Sequence, residues 1–207
     1  MHFSSQDIST LDLYRLLTSG IVPRPIAWVS TRSSAGTDNL APFALFTIAS
    51  VQPPVLAITH LNPSNRPHKD TLANLLQTKD CVVSIPTVAQ LDAMSASAAE
   101  YPPDVSEFAA AGIASVASQQ VVALGVQGAS VRYECRLREV INLSDKPLGG
   151  CLILLDVLGV DVDESVLHEG AIAPSKLQAL GKLGADLYCT TATHIERSRP
   201  PAPKSSK

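Results

Sequence analysis

The apolar positions near the start of the chain recur at helical spacing. Within residues 7–19, leucines and a tyrosine lie three and four positions apart, Ser9 or Thr10 is available as the N-cap, and Gly20 follows as a terminator. This pattern predicts a short helix.

Strand-like apolar runs follow this helix. Residues 26–31 form a β-rich run, a polar turn containing Gly36 comes next, and residues 40–51 form a second run. These two runs predict a β-hairpin. Residues 55–59 and 81–85 are shorter apolar runs, and each predicts one further strand.

A second helix and an excursion interrupt the strands. The loop before residue 70 contains prolines and asparagines that exclude regular structure, and Asp70 or Thr71 is expected to cap a helix over 70–77. Residues 88–112 are rich in Ala, Ser and Pro with helical stretches. We interpret this stretch as an insertion into the fold.

The clearest strand lies within residues 130–140, where apolar and charged residues alternate with a period of two. The apolar set is Val131, Tyr133, Cys135 and Leu137, and the charged set is Arg132, Glu134, Arg136 and Arg138. The alternation places Glu134 on the solvent side, where pairing at an interface is favoured over acid–base chemistry. Residues 151–162 are nearly all apolar, which predicts a strand buried on both faces.

Short strands without strand–helix alternation favour a mainly β fold with α insertions, a mixed β-barrel, over a doubly wound sheet. The glycine patterns of Rossmann and P-loop proteins are absent. We predict a single domain over 1–197, with the helical insertion near 88–112. Residues 198–207 have the composition of a disordered tail.

Composition narrows the class of protein. The chain has 207 residues, of which 45% are hydrophobic and 17% charged, as in globular proteins with a substantial core. The formal net charge is −3 and no long basic run occurs, so nucleic acid is excluded as an expected partner. The chain shows neither a secretory leader pattern nor a long apolar run, so we expect a cytoplasmic protein without membrane association.

The cysteines and histidines do not form a metal-binding pattern. The four cysteines never form a C-x-x-C pair, and no two histidines have ligand spacing. Each cysteine lies in an apolar, strand-like run, which favours buried thiols in a reducing compartment. We therefore predict no metal site.

The first segment with possible chemistry is PRPIAWVSTRSSAGTDNLAPFALF. One strand ends on the hydroxyls of Ser30 and Thr31, and the next contains Pro42, a residue confined to sheet edges and bulges. Pro42 therefore implies a broken ladder, whose free backbone groups can hydrogen-bond a planar heterocycle. An ordinary hairpin with an edge proline explains this segment equally well.

The second segment is SNRPHKDTLANLL, in which Arg66, Lys69, Asp70 and Thr71 crowd the start of a helix. Unpaired N–H groups at a helix N-terminus, together with cationic side chains and a hydroxyl, make a phosphate site without a glycine loop. Taken alone, this segment is better explained by an ordinary capped helix with solvated charges.

The two segments together resemble the flavin reductase-like, FMN-binding split-barrel family, which includes reductase components of two-component monooxygenases. The matching stretches are LYRLLTSGIVPRPIAWVST, NLAPFALF, QPPVL, RPHKDTLANL, CVVSIP, SEFAAAGI, YECRLREV and GKLGADLY. They extend from Tyr14 to Tyr188, so the resemblance covers nearly the whole predicted domain.

The resemblance implies an FMN-binding split β-barrel with FMN at a homodimer interface, and assigns roles to particular residues. Ser30 and Thr31 would close one side of the cofactor, and the ring would lie against Asn39, Ala41, Pro42 and Phe43. The phosphate would be held by Arg66, Lys69 and Thr71, with Asp70 ordering the loop. Further candidates are Arg24, for phosphate or interface contacts, and Lys182 and Tyr188, which would close the pocket.

Two positions depart from the family pattern. Ala44 follows N-L-A-P-F where relatives often have serine, which removes a hydroxyl from the flavin's surroundings. Near the end, the family's R-L-G-G is replaced by K-L-G-A, so Lys182 lacks a planar guanidinium and Ala185 replaces a flexible glycine. We assign Trp28, in the middle of its strand, to the core rather than to flavin stacking.

The expected function is an NAD(P)H-dependent flavin reductase that passes electrons to free flavin, oxygen or a partner oxygenase. The flavin would supply the redox chemistry, so no catalytic side chain is predicted. An FMN-binding carrier, storage or sensor protein with little reductase activity is the alternative. A non-flavin barrel acting as an interaction module is disfavoured by the phosphate-type cluster.

Overall fold

The structure is a computed structural model that describes residues 1–65, 68–198 and 200. The helices are α1 (Thr10–Gly20), α2 (Asp70–Thr78), α3 (Leu91–Ala96), α4 (Glu107–Ala110) and α5 (Pro174–Leu177). The strands are β1 (Arg24–Pro25), β2 (Ala27–Arg32), β3 (Asp38–Phe43), β4 (Phe46–Val51), β5 (Pro54–Leu61), β6 (Asp80–Ser84), β7 (Ser115–Val116), β8 (Gly125–Val126), β9 (Val131–Asn142), β10 (Gly150–Val162), β11 (Leu167–His168), β12 (Ala171–Ile172), β13 (Leu180–Lys182) and β14 (Tyr188–Thr190).

A seven-stranded antiparallel sheet dominates the fold, in the order β3-β2-β6-β9-β10-β5-β4. Side chains from one face of this sheet, including Phe43 near one edge and Ile58 towards the other, pack into a single cluster with Leu72 and Leu75 of α2. Because residues from distant strands share one core, the sheet curves around it. The mainly β prediction is confirmed.

The opposite face of β2 and β3 carries a second core. Trp28 and Leu40 pack there with Met94 of α3, Phe108 of α4 and Leu180 of β13. The indole N–H of Trp28 donates to Ser97 Oγ at 2.9 Å, which ties β2 to the segment after α3. The stretch predicted as an insertion thus contains short helices that cover the outside of the barrel, and Trp28 lies in the core as expected.

The predicted hairpin forms, but the run over 40–51 is not one strand. It divides into β3, which pairs with β2, and β4, which pairs with β5 at the other edge of the sheet. The break falls at Ala44 and Leu45, where the chain leaves one edge for the other. A continuous apolar run in the sequence does not reveal this change of partner.

The prediction that Glu134 faces solvent is wrong. Its side chain is buried, and its carboxylate accepts the backbone N–H of Gln119 at 2.8 Å and that of Gln120. The segment before β8 folds over this face of β9 and covers it. Hydrogen bonds to a loop, rather than interface pairing or acid–base chemistry, satisfy the carboxylate.

The prediction that residues 151–162 are buried on both faces is also wrong in the single chain. Cys151, Ile153 and Leu155 of β10 are buried, whereas the side chains between them are half-buried. Leu158 and Val160, further along the strand, are exposed. β10 therefore has one buried face and one apolar face available for contacts.

The four cysteines are free thiols, all on strands as predicted; Cys81, Cys135 and Cys151 are buried, and Cys189 is half-buried. Cys81 and Cys135 lie opposite each other on β6 and β9. The Cys135 thiol, together with burial, raises the pKa of the Cys81 thiol well above its usual value. Among the described residues, no helix is long and apolar enough to cross a membrane.

Candidate functional site

Strand β3 forms one edge of the sheet, with β2 as its ladder partner on one side and no strand of the sheet beyond it on the other. Its neighbour β2 pairs with it from Ala27 opposite Phe43 to Arg32 opposite Asp38, without interruption. The N–H of Leu40 points away from β2, because it donates to the Glu107 carboxylate. Pro42, two residues further along, therefore directs its ring nitrogen to the same free side. The edge position of Pro42 is confirmed, but the ladder to β2 is not broken.

A cleft of about 220 Å³ lies along this edge. It brings together seven of the predicted site residues, Asn39, Ala41, Pro42, Phe43, Lys69, Asp70 and Thr71. The two segments singled out in the sequence therefore meet in space, one as the edge strand and the other as the start of α2. Arg66 lies outside the described residues.

Helix α2 begins with an unusual cap. Its N-cap is Lys69, not Asp70 or Thr71 as predicted, and the Lys69 side chain makes no capping hydrogen bond. An ammonium group can only donate hydrogen bonds, so it cannot satisfy the first N–H groups of the helix as a serine or aspartate would. Asp70 occupies the first turn, and the exposed Lys69 stands at the mouth of the cleft.

A buried polar network holds α2 against the sheet. The Asn39 side-chain amide donates to Thr71 Oγ1 at 3.0 Å and to Thr31 Oγ1 at 3.3 Å, and Asn74 donates to Thr31 Oγ1 at 3.1 Å. All four side chains are buried. The network fixes the distance between β3 and the start of α2, which together line one side of the cleft.

Ser30 and Thr31 do not line the cleft. The Ser30 hydroxyl donates to the carbonyl of Leu124, and Thr31 is buried beneath Asn39. Thr31 therefore affects the cleft only indirectly, because its hydroxyl accepts a hydrogen bond from the Asn39 side chain, which lines the cleft. Ser30 faces the outer core together with Trp28, because alternate residues of a strand face opposite sides.

The three remaining predicted residues lie away from this cleft in the single chain. The Arg24 guanidinium is buried and donates to the carbonyls of Thr18, Ile21 and Leu183, so it joins the end of α1 to the turn after β13. The Lys182 ammonium lies 3.9 Å from the centre of the Tyr188 ring in a cation–π contact. Nearby, Ala185 adopts a positive φ of 46°, a conformation that favours glycine.

The sequence interpretation missed one wall of the cleft. The segment after α3 contributes Ser97, Ala98, Ala99, Glu100 and Tyr101, and α4 contributes Glu107. The only available signal was the SEFAAAGI stretch, which contains Glu107 and matches the family pattern but was given no role at the site. Residues 97–101 carried no recognisable pattern, because their role depends on contacts with a distant strand.

One carboxyl group near the cleft has a shifted pKa. Asp38, at the start of β3, has a raised pKa because burial disfavours its charged form and outweighs the attraction of Arg32. The Arg32 Nε to Asp38 Oδ1 distance is 3.6 Å.

Across the part of the chain that the structure describes, no group of three or more His, Cys, Asp or Glu side chains has metal-binding geometry.

Comparisons with known proteins give consistent matches. The model of the flavin reductase like domain matches residues 19–181. An uncharacterized protein of Aquifex aeolicus (strain VF5) is 34% identical over 189 residues, which is 91% of this chain and 94% of that protein.

Two solved structures illustrate the likeness in three dimensions. Nitrilotriacetate monooxygenase component B from Bacillus cereus superposes with a TM-score of 0.90 at 28% identity, covering 95% of this chain and 98% of that one. The FMN-binding protein from Thermus thermophilus, crystallised with 1-cyclohex-2-enone, has a TM-score of 0.75 at 21% identity, covering 97% and 99% of the two chains. At this lower identity the likeness shows the fold alone.

Proposed function

The chain belongs to the flavin reductase-like split-barrel family, and from this premise we propose that it is an FMN-binding oxidoreductase. The observation that carries the proposal is that the start of α2, whose N-cap side chain makes no capping hydrogen bond, meets the edge strand β3 in one cleft. A helix N-terminus flanked by a lysine suits a phosphate, and an exposed strand edge suits the polar rim of a flat ring.

The residues present fit FMN in two separable parts. Lys69 would pair with the phosphate, and the first N–H groups of α2 would donate to its oxygens. Along β3, the residues that line the cleft, Asn39, Ala41, Pro42 and Phe43, would lie against the ring, while Pro42 places no N–H where the ring approaches. The buried amide of Asn39, bonded to Thr71, keeps these two parts at a fixed separation.

Bound FMN would supply the electron-transfer chemistry, because none of the side chains assigned to the cleft is a redox group. The chain itself would bind and orient the cofactor and exclude water from one of its sides. We propose NAD(P)H as the electron donor, and free flavin, oxygen or an oxygenase partner as the acceptor. The relative from Bacillus cereus, a monooxygenase component, supports an oxygenase partner. Free cysteines fit the reducing cytoplasm as the proposed compartment.

The first test is discrimination between FMN and riboflavin. We expect FMN to bind at least 100-fold more tightly, because riboflavin lacks the phosphate and so loses charge-assisted bonds of roughly 1.5–3 kcal/mol each. Titration of the apoprotein with each ligand, followed by flavin fluorescence, measures the difference. Equal affinities would contradict the proposed phosphate site.

We further propose that two copies of the chain form a homodimer that completes the site. The cleft of about 220 Å³ is smaller than the ~300–1,000 Å³ typical of sites that enclose a ligand. On edge strand β4, Ile48 and Val51 are 69% and 80% exposed, and α1 has no buried residue. An isologous pair would cover two such apolar surfaces at once.

Light scattering coupled to gel filtration is expected to show a dimer. Replacing Ile48 and Val51 with glutamate should give a monomer with weakened FMN binding, since charged residues would have to be buried at the interface. Val122→Glu is the matched control, because Val122 is 66% exposed on a different surface. A wild-type monomer that binds FMN tightly would rule out the dimer.

Anaerobic stopped-flow mixing separates the reductase from the alternative of a carrier, storage or sensor protein. A reductase is expected to bleach its bound flavin rapidly with NADH or NADPH. A protein that binds FMN but is reduced by neither nucleotide would be a carrier, and the reductase assignment would be withdrawn.

A further inference from the structure

A second cavity, of about 520 Å³, adjoins the cleft. Lys69 and Glu100 line both spaces, so the cleft and the second cavity meet at these two side chains. The second cavity is larger than the cleft, whose volume is about 220 Å³. Apart from Lys69, none of the residues assigned to the proposed FMN site lines it.

An apolar surface forms part of the second cavity. It consists of Tyr14 of α1, Leu61 at the end of β5, and Pro147 and Leu148 in the loop between β9 and β10. Tyr14 and Leu148 are each 40% exposed. Leu148 also has a positive φ of 61°, a conformation that is uncommon for residues with a side chain. The fold therefore keeps a leucine at the surface in an unfavourable backbone conformation.

Asn62 holds this surface in place. It follows β5 and is only 8% exposed, and its side-chain amide donates to the carbonyls of Ser144 at 2.6 Å and Lys146 at 3.3 Å. The Asn62 carbonyl accepts the backbone N–H of Leu148 at 3.0 Å. These bonds join segments more than 80 positions apart in the chain. The loop is therefore fixed against β5, as expected of a largely pre-formed ligand site.

The lining of the second cavity suits a nucleotide. Where the cavity meets the cleft, the Lys69 ammonium can donate to a phosphate, and the carboxyl oxygens of the exposed Glu100 can accept hydrogen bonds from ribose hydroxyls. Further along, Tyr14 offers an aromatic ring, and Leu61 and Leu148 offer apolar contacts to a flat base. Inorganic phosphate would use only the polar end of this lining.

We propose that the second cavity binds the adenosine half of a nicotinamide dinucleotide, with its pyrophosphate at Lys69 and its adenine against Tyr14. An electron donor must bring its nicotinamide to the flavin ring, so its adenosine half needs a site that adjoins the cleft. An ammonium group has three donors, so Lys69 can contact the FMN phosphate and the pyrophosphate together. This inference rests on the proposed NAD(P)H-dependent reductase function.

A truncated electron donor tests the second cavity. Reduced nicotinamide mononucleotide lacks the adenosine half but carries the same nicotinamide. In anaerobic stopped-flow reduction of the FMN-loaded protein, its apparent Kd should be at least about tenfold higher than that of NADH or NADPH, whichever reduces the flavin faster, because base stacking on an aromatic ring has an effect of this size. The limiting rate of flavin reduction should be similar for both donors.

Tyr14→Leu tests the stacking contact. Leucine keeps an apolar side chain on α1 but has no aromatic face, so the apparent Kd of the dinucleotide should rise at least about fivefold. The Kd values of the mononucleotide and of FMN should not change. Tyr14→Phe is the matched control, because it keeps the ring and should behave as the wild type.

Leu148→Ala tests the opposite part of the apolar surface. It should also raise the apparent Kd of the dinucleotide without changing that of the mononucleotide. Leu143→Ala is its control, because Leu143 lies in the same loop, is 67% exposed and does not line the second cavity. Circular dichroism of the apoproteins verifies that all four variants fold.

Binding of ADP-ribose, measured by calorimetry, gives a readout that does not depend on flavin reduction. The wild-type protein should bind ADP-ribose, and Tyr14→Leu should bind it more weakly. Equal apparent Kd values for the two donors in the wild type, or unchanged ADP-ribose binding in Tyr14→Leu, would overturn the proposed adenosine site. If ADP-ribose binds as expected but neither NADH nor NADPH reduces the flavin, the adenosine site is supported and the reductase function fails.

Discussion

Replacing Arg66 and Lys69 together with alanine should weaken FMN binding by roughly 3–6 kcal/mol, because a charge-assisted hydrogen bond contributes about 1.5–3 kcal/mol. This corresponds to an increase in Kd of about 140-fold to 20,000-fold. Lys69 stands exposed at the mouth of the cleft, while the inclusion of Arg66 rests on the sequence motif. Titration of the apoprotein with FMN measures the change.

The fold should survive this double substitution. Lys69 makes no capping hydrogen bond and is exposed, so its truncation should change the free energy of unfolding by less than about 0.5 kcal/mol. Arg136→Ala with Lys176→Ala is the matched control, since it removes the same charge from exposed positions on β9 and α5. Unchanged FMN affinity in the Arg66 and Lys69 double variant would place the phosphate elsewhere on the chain.

Trp28→Ala should lower the free energy of unfolding by about 3–5 kcal/mol, the range for deleting a large buried aromatic side chain. Trp28 is fully buried in the outer core, where it contacts residues of both the sheet and the covering helices. The change would leave a cavity and would remove the hydrogen bond to Ser97. Urea unfolding followed by circular dichroism is the appropriate measurement, because the variant lacks the chain's one tryptophan.

Two milder variants separate the contributions of volume and hydrogen bonding. Ser97→Ala removes the acceptor of the indole N–H and should cost about 1–3 kcal/mol, since a buried donor is left unsatisfied. Trp28→Phe keeps an aromatic ring and should lie between wild type and alanine in stability. If Trp28→Ala were instead as stable as the wild type but altered the visible spectrum of bound FMN, Trp28 would be a flavin-stacking residue rather than a core residue.

The observed ends of the helices and strands show which sequence patterns predict an element well. Strands β2, β5, β6 and β9 and helices α1 and α2 lie close to their predicted positions, because each has a clear local period or clear local terminators. The run over 40–51 was misread as one strand, since nothing local marks the point where the chain changes its pairing partner.

For the cleft, too, some features could be predicted from the sequence and others could not. The residues of β3 and the start of α2 could be identified from sequence, because each set is contiguous and chemically distinctive, with a proline at an edge or a lysine before a helix. Their meeting depends on the bonds of Asn39 to Thr31 and Thr71, residues distant from one another in the chain.

The sequence by itself determined the mainly β character of this protein and the two segments that line one side of its cleft, since both depend on residues close together in the chain. Only the tertiary structure decided that two acidic side chains are buried. Glu134 and Glu107 are charged residues that local patterns place in solvent or leave unassigned. Each lies against a segment that is distant in the chain and that donates a backbone N–H to its carboxylate. The hydrogen bond satisfies the buried carboxylate, and local periodicity cannot reveal such a long-range contact.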